Sequence, residues 1–181
     1  YVSSVDSGNL AGSLLTRQAG LAELNHQPVL SANALQGLQD TLQVLAEQLP
    51  ATPAPELAKK IRLLQDTLRA LTLDRPPQTL TAAASALDEI HRIGGELVAW
   101  LPADVGIDGE LAYWAQAFDQ QSLALRVELA SLVPESWQGS VLPTRVELAG
   151  SGAAGAQTQL DLIDDLMDRC RALAAMDFEF L

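Results

Sequence analysis

Leucine recurs at steps of three and four from Leu35 through Leu132, and this spacing constrains the fold more than any other feature. Leu35, Leu38, Leu42, Leu45 and Leu49 make one series; Leu57, Ile61, Leu64, Leu68 and Leu71 make a second. Leu87, Ile90, Leu97 and Leu101 make a third, and Leu111, Trp114, Phe118, Leu125, Leu129 and Leu132 a fourth. Residues three and four apart share a helix face, so each series is the apolar stripe of an amphipathic helix. Prolines separate the series, at Pro50, Pro53 and Pro55, at Pro76 and Pro77, at Pro102 and at Pro134. Proline ends a helix because it lacks the N–H donor and clashes with the preceding turn. Ser31, Thr79 or Thr81, and Asp108 stand where N-caps belong, and Pro55 with Glu56 suits a first turn.

Two further helices flank this run. Asp6 or Ser7 caps one through Leu10, Leu14, Leu21 and Leu24, stopped before Pro28. The other runs from about Ala156 to Ala175 through Leu160, Ile163, Met167, Cys170 and Leu173. The connections near positions 50, 75 and 104 are short, so neighbouring helices should run antiparallel. The expected fold is all-α: an antiparallel up-and-down bundle of five to six helices in a single helical domain, 1–181. Within it, 1–27 is the first helix, 28–133 the bundle, 134–155 a flexible loop, and 156–181 the last helix and tail. Pro143, Gly150, Gly152 and Gly155 interrupt the period in that loop, where Thr144-Arg145-Val146-Glu147-Leu148 has the alternation of a short extended piece. Ala11, Gly12, Ala19 and Gly20 give the first helix a surface for close packing. It is expected to pair with the last helix or to mediate a homodimer.

Charge narrows the function classes. Eleven basic against 23 acidic residues leave a net charge of −12, which repels phosphate backbones and anionic lipid. Nucleic acid is therefore not an expected partner. No apolar run approaches the ~20 residues needed to span a bilayer, so this segment does not insert into a membrane. Both ends read as cut from something longer.

Candidate chemistry is sparse. Gly150-Ser151-Gly152-Ala153-Ala154-Gly155 matches a G-x-G-x-x-G fingerprint, but a nucleotide site needs a buried strand before it and a second strand after it. It reads as a glycine loop. Asp88 and His91 are three apart on one helix, yet lack the further convergent groups that catalysis or a metal requires. Gly94-Gly95 in the same helix marks close packing or a kink. Asp161, Asp164, Asp165 and Asp168 share a helix face that reads as solvated, and Cys170 lies on the apolar face without a histidine nearby. Trp100, Trp114 and Trp137 are the residue type that stacks on sugar rings, but Trp100 and Trp114 fall on core faces, leaving Trp137 as the candidate. No catalytic residue, metal site or cofactor is expected.

The termini carry more. Tyr1-Val2-Ser3-Ser4-Val5-Asp6-Ser7-Gly8-Asn9-Leu10-Ala11-Gly12, with Leu14-Leu15 and Gln18-Ala19-Gly20-Leu21, resembles a segment of the cyclic β-1,2-glucan synthases of Gram-negative bacteria. In that family the segment follows the membrane-embedded glycosyltransferase and opens the middle, glucoamylase-like domain. Met176-Asp177-Phe178-Glu179-Phe180-Leu181 resembles a segment further along the same domain. The resemblance implies a parent enzyme in the inner membrane that builds β-1,2-glucan from UDP-glucose and cyclises it by transglycosylation. This chain would be a cytoplasmic, non-catalytic scaffold or glucan-positioning piece whose partners are the rest of that enzyme and β-1,2-glucan. Asp6, Ser7, Gly8 and Asn9 match the family segment; Asp6, Ser7 and Asn9, with Trp137, are the candidate substrate-binding residues, and Asp6 is weighed first as a helix cap. The rival reading is a free-standing helical module that binds a partner through an apolar groove. A third, an autonomous glycosidase, needs a second carboxylate across a cleft, which nothing identifies.

Overall fold

The computed structural model describes residues 4–74, 76–101, 109–134, 137, 139 and 141–175. Among them are seven α-helices and no strand: α1 Ser4–Leu24, α2 Ala32–Glu47, α3 Pro55–Arg69, α4 Leu80–Trp100, α5 Glu110–Leu132, α6 Arg145–Gly150 and α7 Ala154–Ala174. A π-helical turn, Ala70–Asp74, continues α3. The all-α expectation holds. The described residues form two compact units, one within Tyr1–Val29, Leu132–Trp137 and Pro143–Leu181, the other within Leu30–Ser131 and Gln138–Leu142.

The second unit is the leucine-stripe region. Ser31 accepts from Ala34 N–H (3.2 Å) and Thr79 from Ala82 N–H (3.2 Å), so α2 and α4 start at side-chain caps. Pro55 opens α3, where its missing N–H has no helical partner to lose. Leu35, Leu38, Leu42 and Leu45 of α2 are buried with Leu57, Ile61, Leu64 and Leu68 of α3 and with Leu87, Ile90, Ile93 and Leu97 of α4. Ala115, Phe118 and Leu129 bring in α5. α2 packs on α3 and α3 on α4. α4 and α5 run antiparallel, since Asp88 bonds Arg126, His91 meets Ser122, and Gly94 faces Phe118. α2 reaches α5 through Thr41 Oγ1, which donates to Gln121 Oε1 (2.8 Å).

In the first unit α1 packs on α7, but of the small residues expected at the contact only Ala11 lies on the seam, while Gly12, Ala19 and Gly20 are exposed. Arg145 fixes the direction: its Nη1 donates to Leu24 O (3.2 Å) and its Nε to Gln159 Oε1 (2.8 Å). The end of α1 therefore lies beside the start of α7, and the two helices run antiparallel. Their half-buried positions step by four and three, through Ser7, Ala11, Leu14, Gln18 and Leu21 on α1. On α7 the half-buried Leu160, Met167, Cys170 and Ala174 join buried Ala156 and Ile163 in the same rhythm. These are the narrow seams of a two-helix coiled coil.

Two expectations are corrected here. α1 starts at Ser4, so Asp6 and Ser7 are not N-caps; Asp6 sits in the first turn, where its carboxylate faces the positive end of the helix dipole. Residues 134–155 are not one flexible loop, and Thr144–Leu148 is not extended. Thr144 Oγ1 accepts from Glu147 N–H (3.2 Å) while Glu147 Oε2 accepts from Thr144 N–H (2.8 Å), a capping box that starts α6. The alternation that reads as a strand is overridden by this T-x-x-E pattern and by burial of Leu148. Gly152, at φ +90°, then turns the chain into α7. Thr144→Ala is expected to lower stability by about 1 kcal/mol, read from thermal melting, because it leaves the first N–H groups of α6 without their cap.

Candidate functional site

The candidate residues Asp6, Ser7 and Asn9 follow one another through the first turns of α1. Asp6 and Asn9 are exposed, whereas Ser7 lies on the half-buried seam toward α7. Successive helical residues point about 100° apart, so Ser7 is turned away from Asp6. Trp137 follows α5; its N–H bonds Pro134 O (3.0 Å), and its half-buried indole has Nε1 out of solvent with no hydrogen-bond partner among the described residues. The structure thus places these four residues on two separate segments of the chain.

The polar cluster between α4 and α5 is better built. His91 Nδ1 lies 3.0 Å from Asp119 Oδ1 and 3.3 Å from Ser122 Oγ, and Ser122 Oγ donates to Asp119 O (2.8 Å). Serine, histidine and aspartate invite comparison with a nucleophilic triad, but a triad uses opposite nitrogens of the imidazole for the serine and the acid. Here both face Nδ1, and Ser122 is fully buried. The cluster ties two helices together. Gly94 sits at this contact, where a Cβ would stand at van der Waals distance, 3.4 Å, from the Phe118 ring and from Asp119 Oδ1. The sequence pairs His91 with Asp88, whereas the fold pairs Asp88 with Arg126 and His91 with Asp119.

A second charged network joins α3 to α4. Lys60 Nζ reaches Glu96 Oε2 at 2.5 Å, and Arg92 binds both Glu89 (2.6 Å) and Glu96. Hydrogen bonding from Arg92 holds the Glu89 carboxyl below its ordinary value of 4.5, and hydrogen bonding from Lys60 does the same for Glu96. Depressed carboxyl values supply stability above the ordinary glutamate range and withdraw it as pH falls through that range. Melting temperature is therefore expected to decline below about pH 4.5, and a Glu89→Gln, Glu96→Gln double variant to flatten part of that decline. The effect is small and fades in high salt, because these side chains are half exposed.

The remaining motifs fall into place. Gly150–Gly155 joins two helices, with α6 where a nucleotide fold would need a strand. Asp161, Asp164, Asp165 and Asp168 are exposed on α7, where Asp165 pairs with Arg169 (2.8 Å) and Asp168 with Arg171 (2.9 Å). Among the described residues no group of three or more His, Cys, Asp or Glu is placed to hold a metal ion. Surface hollows of about 370 and 300 Å³ lie along the outer face of α3 and between α2 and α3; the first is lined by Lys59, Arg62 and Leu63, the second by Gln39, Gln43 and Gln65.

The tryptophans depart from expectation. Trp100 is 38 % exposed rather than buried, and Trp114 is half-buried. Tyr113, which the stripe analysis passed over, is 62 % exposed and meets Trp114 edge-on, ring centroids 5.3 Å apart. An adjacent aromatic pair was the available signal, since neighbouring helical residues cannot both enter one stripe.

No family model, curated protein or solved structure matches the chain. No described helix is long and apolar enough to cross a membrane.

Proposed function

We propose that this chain is a non-catalytic helical segment of a cyclic β-1,2-glucan synthase, scaffolding or positioning glucan beside the domain that cyclises it. One observation carries the reading. α1 holds most of the first segment that resembles the family, α7 leads into the second, and the two helices run antiparallel. Ser4 and Ala174 consequently stand at the same end of a stem roughly 30 Å long, at 1.5 Å per residue. A segment inserted into a larger domain must leave and return at one place, and neighbouring ends make such insertion tolerable. The parent sits in the inner membrane, with this segment on the cytoplasmic side and the anchoring spans elsewhere in that protein.

The stem also needs cover. Leu10 and Leu173 are 60 % and 71 % exposed, and Leu15, Leu24, Leu162 and Leu166 are exposed with them. In the proposed setting the rest of the enzyme covers these leucines; in the rival setting, a free-standing interaction module, a partner protein does. The coding sequence on either side discriminates the two. A glycosyltransferase with membrane spans upstream and a glucoamylase-like domain downstream is the expected result, and stop codons flanking the segment would overturn it.

A further inference from the structure

We propose that the outer face of α3, from Pro55 to Arg69, is a docking groove for an acidic peptide segment of another polypeptide. The groove stands on its own residues and is independent of the parent enzyme proposed above.

In a chain of net charge −12, α3 is the one described helix in which basic residues, Lys59, Lys60, Arg62 and Arg69, outnumber acidic ones, Glu56 and Asp66. Elsewhere cations find carboxylates: Arg92, Arg126, Arg169 and Arg171 are in ion pairs, and Lys60 turns to Glu96 of α4. Lys59, Arg62 and Arg69 are exposed and form no ion pair among the described residues. With Asp66 they step by three, four and three, so they share the side of α3 turned away from buried Ile61, Leu64 and Leu68. The hollow lined by Pro55, Ala58, Lys59, Arg62 and Leu63 and the hollow that reaches Arg69 both include Asp66. The two are therefore one groove, roughly 20 Å long at 1.5 Å per residue.

The lining selects the occupant. Leu63, 47 % exposed, lies in the first hollow beside Lys59 and Arg62. An apolar floor rimmed by unpaired cations fits a peptide that carries an apolar side chain among carboxylates, which supply the counter-charge missing from this face. Arg62 and Arg69 are two helical turns apart, which sets those carboxylates about 10 Å from each other. Gln39, Gln43 and Gln65 line the second hollow and offer amide donors and acceptors to a peptide backbone. Asp66, between the cations, repels the unbroken phosphate run of a nucleic acid. A lipid surface is disfavoured by the same acid, and by the want of the broad apolar face that a helix lying in a membrane interface presents.

The test pans a display library of random peptides on the full chain, with counter-selection on a Lys59→Gln, Arg62→Gln, Arg69→Gln variant. Peptides recovered on the native chain alone are expected to carry two or more carboxylates around a leucine or phenylalanine. Titrated by fluorescence polarisation, these peptides should bind the triple variant about 3–30-fold more weakly, the loss of three exposed charge contacts. Leu63→Ala should weaken them about 3–10-fold through lost apolar contact. Far-UV circular dichroism and thermal melting of both variants should match the native chain, because the altered side chains are exposed. Failure to recover any peptide that separates the two chains would overturn the proposal, as would recovered peptides without acidic residues or indifferent to Leu63→Ala. Vesicles of phosphatidylcholine with phosphatidylglycerol, and polyuridine, are measured alongside. Binding of either that the triple variant abolishes would also overturn it, assigning the face to lipid or nucleic acid instead.

Discussion

Phe118→Ala is expected to cost about 3–5 kcal/mol of stability, enough to consume a large part of what a domain of this size possesses. Phe118 is fully buried, and the face of α4 opposite it is glycine rather than a side chain that could swing into the vacated space. The cavity would be bounded on one side by the α4 backbone at Gly94. Rigid walls of this kind relax little, which puts the cost toward the upper end for an aromatic deletion. Urea unfolding followed by circular dichroism measures it. A loss below about 1 kcal/mol would mean that α4 and α5 do not meet at Gly94.

Residues 30–142 are expected to fold cooperatively when produced alone, whereas residues 1–29 joined directly to 143–181 should lose most of their helix. The asymmetry follows from where the core lies. α2, α3 and α4 each contribute four or more buried apolar residues, and α5 adds Phe118 and Leu129. α7 buries only Ala156 and Ile163, and the described seam positions of α1, Ser7 to Leu21, are half-buried at most. Isolated helices gain most of their stability from a packed face, and the stem has too narrow a seam to hold without cover. Thermal melting of the two pieces checks this: a sharp transition is expected for 30–142, and a broad, low-amplitude one for the stem.

Much of the fold was legible because the leucine stripes, prolines and caps agree with one another. Ser31, Pro55 and Thr79 start helices at the expected places, and the stripe residues from Leu35 to Leu97 fill the core except Leu49 and Leu71, which are half-buried. The sequence misled where two local signals compete. Thr144–Leu148 alternates like a strand, yet Thr144 and Glu147 form a capping box whose hydrogen bonds decide the matter. The π-turn at Ala70–Asp74 carries no distinct pattern, because Leu71 continues the helical spacing. The candidate site was less legible still. His91 has an acidic neighbour three residues away in sequence, but its partner, Asp119, is on another helix and visible only once α4 and α5 are docked. Trp100 lies on the continuation of the Leu97 stripe, and periodicity alone does not reveal that the core ends before reaching it.

The central claim, a helical insert that serves glucan cyclisation, is tested most directly by removing the insert from its parent. Val29 N–H bonds Pro143 O (2.9 Å), and Pro28 pairs with Thr144, so the two cut points are already neighbours. Residues 30–142 of the proposed parent enzyme are replaced by a short Gly-Ser link, and membrane preparations are supplied with UDP-glucose. Linear β-1,2-glucan should still form, while the cyclic product should fall or change in ring size. Cyclic glucan unchanged in both yield and ring size would contradict the account.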